Sequence, residues 1–320
     1  MDLIYTDTNA VEQGYLTGYD LDMENGEEND FELITGREAW NYLRAGCYIY
    51  AESETEFGGK ITRVAIDTNT RTLKYYGLTW RGLLATRIIM PPSGQAYRLY
   101  TLSNNKSISD IMSDILTLTG FSDLFEVAET SGAVAYQFSR YVSVLDGFIG
   151  LCASNGRTLK CAYNPATQKI RLSAVLPVDY SSDDYSSYQF SFRIVKDYYP
   201  VNHIIALGSG ELAARQVYHC YLQSDGTVGE SAYYDVDVAE VYDYPNAESL
   251  DELKKGAKER LLELQGTTTL EIALENIDLQ IGDTVSGTEE LTGIVVTKTI
   301  AGKILKMNAT DYQISYKTGD

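Results

Sequence analysis

The amino-acid sequence predicts an α+β, β-rich chain in which two strand-rich halves flank a helical middle. Three observations predict it. Residues 14–89 and 190–316 carry short alternating runs of apolar and polar residues bounded by turn residues, the period of half-buried strands. Residues 107–156 change to a helical period, with Ser107/Asp110 and Ser143/Asp146 as paired caps and Gly120 and Gly156 as stops. Residues 177–188, PVDYSSDDYSSY, are Ser-rich and acidic and mark a boundary. At 320 residues the chain is too long for one ordinary core. Three segments are expected: a β domain over 1–100, an α+β insert over 101–188, and a second β domain over 189–320 with a helix near 249–265.

In chain order, Tyr15, Tyr19, Leu21 and Met23 fall on one strand face and Asp20, Asp22 and Glu24 on the other. Asn25-Gly26 suits a tight hairpin turn, and Phe31 and Leu33 resume the apolar face. Arg37–Leu43 reads as a helical turn and Gly46–Ala51 as a strand. Phe57-Gly58-Gly59 reads as a turn whose glycines permit positive φ, and Ile61 and Arg63 share a face of the next strand. Residues 60–66 and 71–76 form a hairpin about Asp67-Thr68-Asn69-Thr70. Thr79–Ile89 mixes periods, and Pro91-Pro92 breaks the pattern.

The first capped helix carries Ile108, Ile111, Met112, Ile115 and Leu116 inward, and the second Val144, Leu145, Phe148, Ile149 and Cys152. Arg157–Tyr163 and Lys169–Val175 pair about Asn164-Pro165. Strands follow at Phe190–Val195, Asn202–Leu207 and Arg215–Leu222, with Ser224-Asp225-Gly226 as a turn. Ser249 and Glu252 cap a third helix, with Leu250, Leu253, Ala257, Leu261 and Leu264 inward and Gly266 as its stop. Leu270, Ile272 and Leu274 alternate, Ala301-Gly302 reads as a hairpin, and Tyr312, Ile314 and Tyr316 share a face.

Composition narrows the function. The net charge is −19, from 45 acidic and 26 basic side chains, which argues against gripping nucleic acid. Cys47, Cys152, Cys161 and Cys220 have no metal-type or C-x-x-C spacing, so buried reduced thiols are expected. The amino terminus lacks the regions of a signal peptide, and no apolar run reaches the length of a membrane span; synthesis in a reducing cytoplasm is expected. The 26 tyrosines against 8 phenylalanines suit half-buried sheet faces and subunit contacts, with sugar binding as the sharper alternative.

Chemical motifs are few. Asp20-x-Asp22-x-Glu24-Asn25-Gly26 resembles a calcium loop, but its glycine is one place late and Phe31 stands where a bidentate acid is needed. Gly208-Ser209-Gly210 with Ala213 imitates a dinucleotide fingerprint, yet Arg215–Leu222 alternates as a strand where a helix must open. His203 and His219 lie in strand patterns without a nucleophile motif. Arg81, Arg87, Arg193 and Arg215 are dispersed and expected in surface or intersubunit ion pairs. No catalytic, cofactor-binding or metal-ligating residue is assigned, no cofactor is expected, and the chain is expected not to be an enzyme.

Four stretches carry a resemblance to the tail hub (baseplate hub) proteins of siphophages and prophages, including the amino-terminal hub regions of tail-associated lysins. They are Gly14–Leu33; Thr55–Pro92 with Glu56-Phe57-Gly58-Gly59 and Trp80-Arg81-Gly82-Leu83-Leu84; Asn202–Arg215; and Leu253–Asp283, ending in Ile281-Gly282-Asp283. The resemblance implies two antiparallel barrel-like tube domains with α/β insertions. It also implies a homotrimeric ring that caps the tail tube, joins tail-tube or distal tail protein to tip or fibre proteins, and lines the exit path of DNA that passes without specific binding. The implied location is the virion tail tip, with no membrane span. A host-surface carbohydrate-binding module and a tail-associated cell-wall hydrolase are the alternatives. Trp80 is expected as a packing anchor.

Overall fold

The computed structural model describes residues 1–181, 190–195, 201–264, 269–274, 278–288 and 295–319; at 190–195, 269–274, 287–288 and 295–296 it describes backbone alone. Two compact units form, Met1–Phe192 with Glu271–Asp320, and Arg193–Leu270.

The first unit is built on an antiparallel sheet. Its amino-terminal strands are β1 (Leu3–Thr6), β2 (Glu12–Tyr15), β3 (Tyr19–Asn25), β4 (Asp30–Gly36), β5 (Tyr48–Ala51), β6 (Gly58–Asp67) and β7 (Thr72–Thr79). Running inward from Tyr312–Gly319, which Thr269–Leu274 flanks on its other side, the order is Tyr312–Gly319, Val295–Asn308, β3, β4, β7, β6, β5, β1, β2. Alternation makes this face: Leu21, Met23, Phe31, Leu33, Tyr75 and Leu305 are all buried in one core. The β3–β4 hairpin forms as expected, with Asn25 in the strand and Asn29 closing the turn by accepting from Gly26 N at 2.9 Å. Asp67 Oδ1 closes the β6–β7 turn by accepting from the amides of Asn69 (2.7 Å) and Thr70 (3.2 Å).

The last strands join this sheet rather than ending apart from it: Leu305 pairs with Met23 and Met307 with Leu21. An apolar face on Val295–Asn308 finds its complement on β3, some 280 residues away in sequence, and the boundary expected at residue 188 does not anticipate that closure. Ala301-Gly302 makes no hairpin. It lies inside the long strand at a bulge after Ile300, where the strand passes from Thr284–Thr288 to β3 as its partner. The hairpin forms at 309–311, where Asn308 Oδ1 accepts from Thr310 N and Asp311 N at 2.8 and 2.9 Å.

Three further expectations change. Gly58 and Gly59 are strand residues without positive φ. Their lack of a side chain serves packing: a Cβ on Gly58 would stand 2.4 Å from Trp80 Cζ2, and one on Gly59 2.3 Å from the Leu78 carbonyl. A bulge between Ile61 and Arg63 separates the two, so Ile61 is buried and Arg63 exposed. Tyr15 is 57% exposed, its hydroxyl donating to Glu52 at 2.9 Å.

The insert adds α1 (Trp80–Ala85), α2 (Ile108–Thr119) and α3 (Val144–Ala153). Thr79 Oγ1 caps α1 by accepting from Gly82 N; Ser107 and Asp110 form the expected box on α2, and Gly120 ends it at φ +72°. Ser143 caps α3, but Ile149 points outward while Leu151 is buried. Thr158–Asn164 and Lys169–Val175 pair antiparallel, and Phe125–Val127 adds a parallel third strand. Helices and sheet share a second core centred on Phe148, Ile111 and Ile170.

In the second unit His203–Leu207 is flanked by Val217–Leu222, antiparallel, and Ala239–Asp243, parallel. Helix α4 (Leu250–Glu263), capped by Ser249, lays Leu253, Ala257 and Leu261 on Ile204, Ala206 and Cys220. Leu250 is exposed. Gly266, residues 182–188 and the side chains of Leu270, Ile272 and Leu274 lie outside the described residues.

Candidate functional site: the joint between sheet and insert

The most elaborate side-chain constellation lies in the first unit, where β6, α1 and Thr158–Asn164 meet. Trp80 is fully buried at the start of α1 and donates from Nε1 to the Thr55 carbonyl at 3.0 Å. Its ring stacks on Tyr163 at 5.8 Å, and Tyr163 lies 4.5 Å from Tyr50. The ring is enclosed by protein on both sides, so it is the packing anchor expected of it.

Arg81, the next residue, is 6% exposed and donates from Nη1 to the Leu159 carbonyl at 3.0 Å. This departs from the expected surface ion pair: the α1 helix starts at the joint, and its second residue has only the insert to face. Arg87 lies over the Phe121 ring at 5.7 Å, Arg215 pairs with Asp243, and the Arg193 side chain lies outside the described residues.

Beside Arg81 sits a buried ion cluster. The fully buried Lys303 ammonium meets Glu56 Oε1 at 2.7 Å and Asp278 Oδ1 at 3.0 Å, while Glu56 Oε2 faces Lys160 at 3.5 Å. Burial lowers the Lys303 pKa, but the charges and hydrogen bonds of Glu56 and Asp278 outweigh it and hold the ammonium above its ordinary value. Glu54 is pushed up by burial and by the Asp278 carboxylate. A little farther along, Lys317 donates to both oxygens of the buried Glu24 at 2.7 and 2.8 Å. Glu24 was expected on the polar face; its salt bridge is what lets it be buried.

This arrangement ties the loop before β6 to the long strand Val295–Asn308. Burial pushes the Cys161 and Cys152 thiols up to about 12, which keeps them protonated and poorly nucleophilic. Glu56 is tied to two ammonium groups. All four cysteines are free and buried, as expected.

Sequence reasoning missed Lys303, Glu56 and Asp278. The period of the last long strand carried part of the signal, since Lys303 shares a face with Leu305 and Met307.

In the second unit the structure joins the two histidines that the strand patterns left apart. His203, 5% exposed, places Nδ1 2.9 Å from Asp237 Oδ1 and Nε2 2.8 Å from His219 Nδ1. A proton on His203 Nδ1 donates to Asp237 and leaves Nε2 to accept from His219. Tyr221 stacks on His203 at 4.2 Å. Gly208 and Gly210 bend the chain between strands before a single 3-10 turn, Leu212–Ala214, as expected for a failed phosphate loop. Among the described residues no group of three or more His, Cys, Asp or Glu could hold a metal ion, and no helix is long and apolar enough to cross a membrane.

No family model matches the chain, and no curated protein sequence does. Solved structures are similar over its whole length. Prophage tail protein gp18 from Listeria monocytogenes aligns with 100% of this chain and 95% of its own, at 14% identity and a TM-score of 0.50. The tail protein of prophage MuSo2 from Shewanella oneidensis aligns with 100% and 98%, at 10% identity and a TM-score of 0.50. A tail protein from Neisseria meningitidis aligns with 100% and 96%, at 14% identity and a TM-score of 0.49. End to end, this β-rich chain has the fold seen in prophage tail proteins.

Proposed function

We propose that the protein is a structural component of a phage or prophage tail tip, a baseplate hub that caps the tail tube as a homotrimeric ring. In this role it connects tail-tube or distal tail protein to tip or fibre proteins and surrounds the path of the ejected genome. The observation that carries the reading is the end-to-end likeness to the Listeria and Shewanella tail proteins, with 95–98% of each covered and nothing of this chain left over. Fold alone does not assign a role. The joint described above supports a structural one: Lys303, Glu56 and Asp278 are engaged with each other and the thiols are protonated, the chemistry of a scaffold. A net charge of −19 suits a wall that DNA slides past. Two tube-type β domains, over 1–100 and 189–320 with the α+β insert between them, belong to the same proposal, amended by the pairing of the final strands with β3.

The test is co-expression with the neighbouring tail-tube and tip proteins, followed by mass measurement and negative-stain imaging. Rings of three copies are expected. A strictly monomeric species at high micromolar concentration that forms no ring with those partners would sink the reading, and saccharide affinity of that monomer would favour the carbohydrate-binding alternative.

A further inference from the structure

A small cavity opens where six stretches of the first unit meet: the end of β3, the loop before β6, the start of α1, the strands Thr158–Asn164 and Lys169–Val175, and the segment at Gln280. It measures about 20 Å³ and is lined by Asn25, Glu56, Arg81, Leu159, Lys160 and Gln280, among others. Two of these residues bring polar atoms without a partner among the described residues. Arg81 spends Nη1 on the Leu159 carbonyl and leaves Nε–H unbonded; Asn25 spends Nδ2 on the Glu56 carbonyl at 3.1 Å and leaves Oδ1 unbonded. Both residues are more than nine-tenths buried, at 6% and 3% exposure. Leaving one such atom unsatisfied costs about 1–3 kcal/mol, and both residues line this one cavity.

We propose that this cavity is a binding site for one structural water, which accepts a hydrogen bond from Arg81 Nε and donates one to Asn25 Oδ1. The complementarity selects the ligand. One atom is a donor and the other an acceptor, so the occupant must both accept and donate. An anion would satisfy Arg81 but would face the Asn25 oxygen and the Glu56 carboxylate. A cation would satisfy those oxygens but would face Arg81 and Lys160. The amide is held in this orientation because turning it would aim Oδ1 at the Glu56 carbonyl. The volume agrees, since one water needs roughly 10–15 Å³ of such space, and two to four polar partners. The water completes the solvation of a guanidinium that has no carboxylate partner among the described residues, and it joins the first hairpin to α1 at the joint with the insert.

The test is a crystal structure of the unaltered protein at a resolution that shows ordered water, with a second crystal soaked in bromide. The expected result is a peak about 2.7–3.2 Å from both Arg81 Nε and Asn25 Oδ1, without anomalous signal from the bromide crystal. Empty density between the two atoms, or a bromide peak there, overturns the proposal. In Asn25→Leu the peak is expected to be lost; its persistence at the same place would show that Oδ1 does not hold it.

Discussion

Trp80 and Tyr163 donate to the same oxygen: the indole Nε1 and the Tyr163 amide reach the Thr55 carbonyl at 3.0 and 2.9 Å, with the two rings stacked beside it. Helix α1 and the insert hairpin are thus fixed to one point of the loop before β6. Trp80→Ala is expected to lower stability by about 3–5 kcal/mol in urea unfolding, the range for a large buried aromatic. A loss under 1 kcal/mol would contradict the anchor role. The other tryptophan, Trp40, is 54% exposed, so acrylamide should quench one emitting component and spare the other.

Gly58→Ala should be destabilising although it removes a flexible residue from a strand. The added methyl meets Trp80 and Tyr50 at 2.4 and 2.7 Å, and overpacking of this kind costs about 1–3 kcal/mol. Thermal unfolding decides it; an unchanged or raised Tm would mean that the ring shifts freely.

Lys303→Met should cost about 3 kcal/mol, near the lower end for breaking a buried pair, because Lys160 stays 3.5 Å from Glu56. The pH dependence follows from the raised pKa of Lys303. Its contribution is fully present below the unfolded lysine value of about 10.4 and is lost as pH rises through the folded value. The Tm difference between the native protein and Lys303→Met should therefore be flat through neutral pH and shrink only in strong alkali. A difference that already shrinks between neutral and mildly alkaline pH would refute the assignment.

The buried thiols should be silent in the folded protein. Burial raises Cys152 and Cys161 to about 12 and Cys220 to about 11, so thiolate is scarce at mildly alkaline pH. Iodoacetamide followed by mass spectrometry should find these three unmodified until denaturant is added, and rapid native labelling of any one would count against its described burial.

His203→Ala should loosen the segment around Asp237. That segment is held to His203 through Asp237 and to Asn202, whose Nδ2 donates to the Val236 carbonyl at 2.7 Å and whose Oδ1 accepts from Val238 N at 3.1 Å. Faster hydrogen exchange at Val238, with helix α4 unaffected, is the expected readout. Exchange unchanged at Val238 would mean that Asn202 alone holds the segment.

Much of the local structure was legible because it rests on local rules. Ser107, Ser143 and Ser249 cap helices where the spacing places them, and Gly120 adopts positive φ at a helix end. Glycine was legible only where its reason was local. Gly58 and Gly59 look like a turn, yet they exist for Trp80 and Phe31, and no window of sequence around them contains that contact. Ala301-Gly302 misled for the same reason: its bulge faces Gly26, where a Cβ would stand 2.6 Å from the Gly302 Cα.

Period, caps and turns act within a few residues, and they carried the β-rich α+β class, the capped helices, the buried faces of β3 and β4 at Leu21, Met23, Phe31 and Leu33, the buried thiols and a likeness to tail hub proteins. Tertiary structure alone decided that the final strands pair with β3, that Lys303 is buried between Glu56 and Asp278, and that His203 meets His219. These depend on which distant surfaces find complementary shape and charge once the chain has collapsed, and a lysine or histidine in a strand has the same local pattern whether its partner lies in solvent or across the sheet.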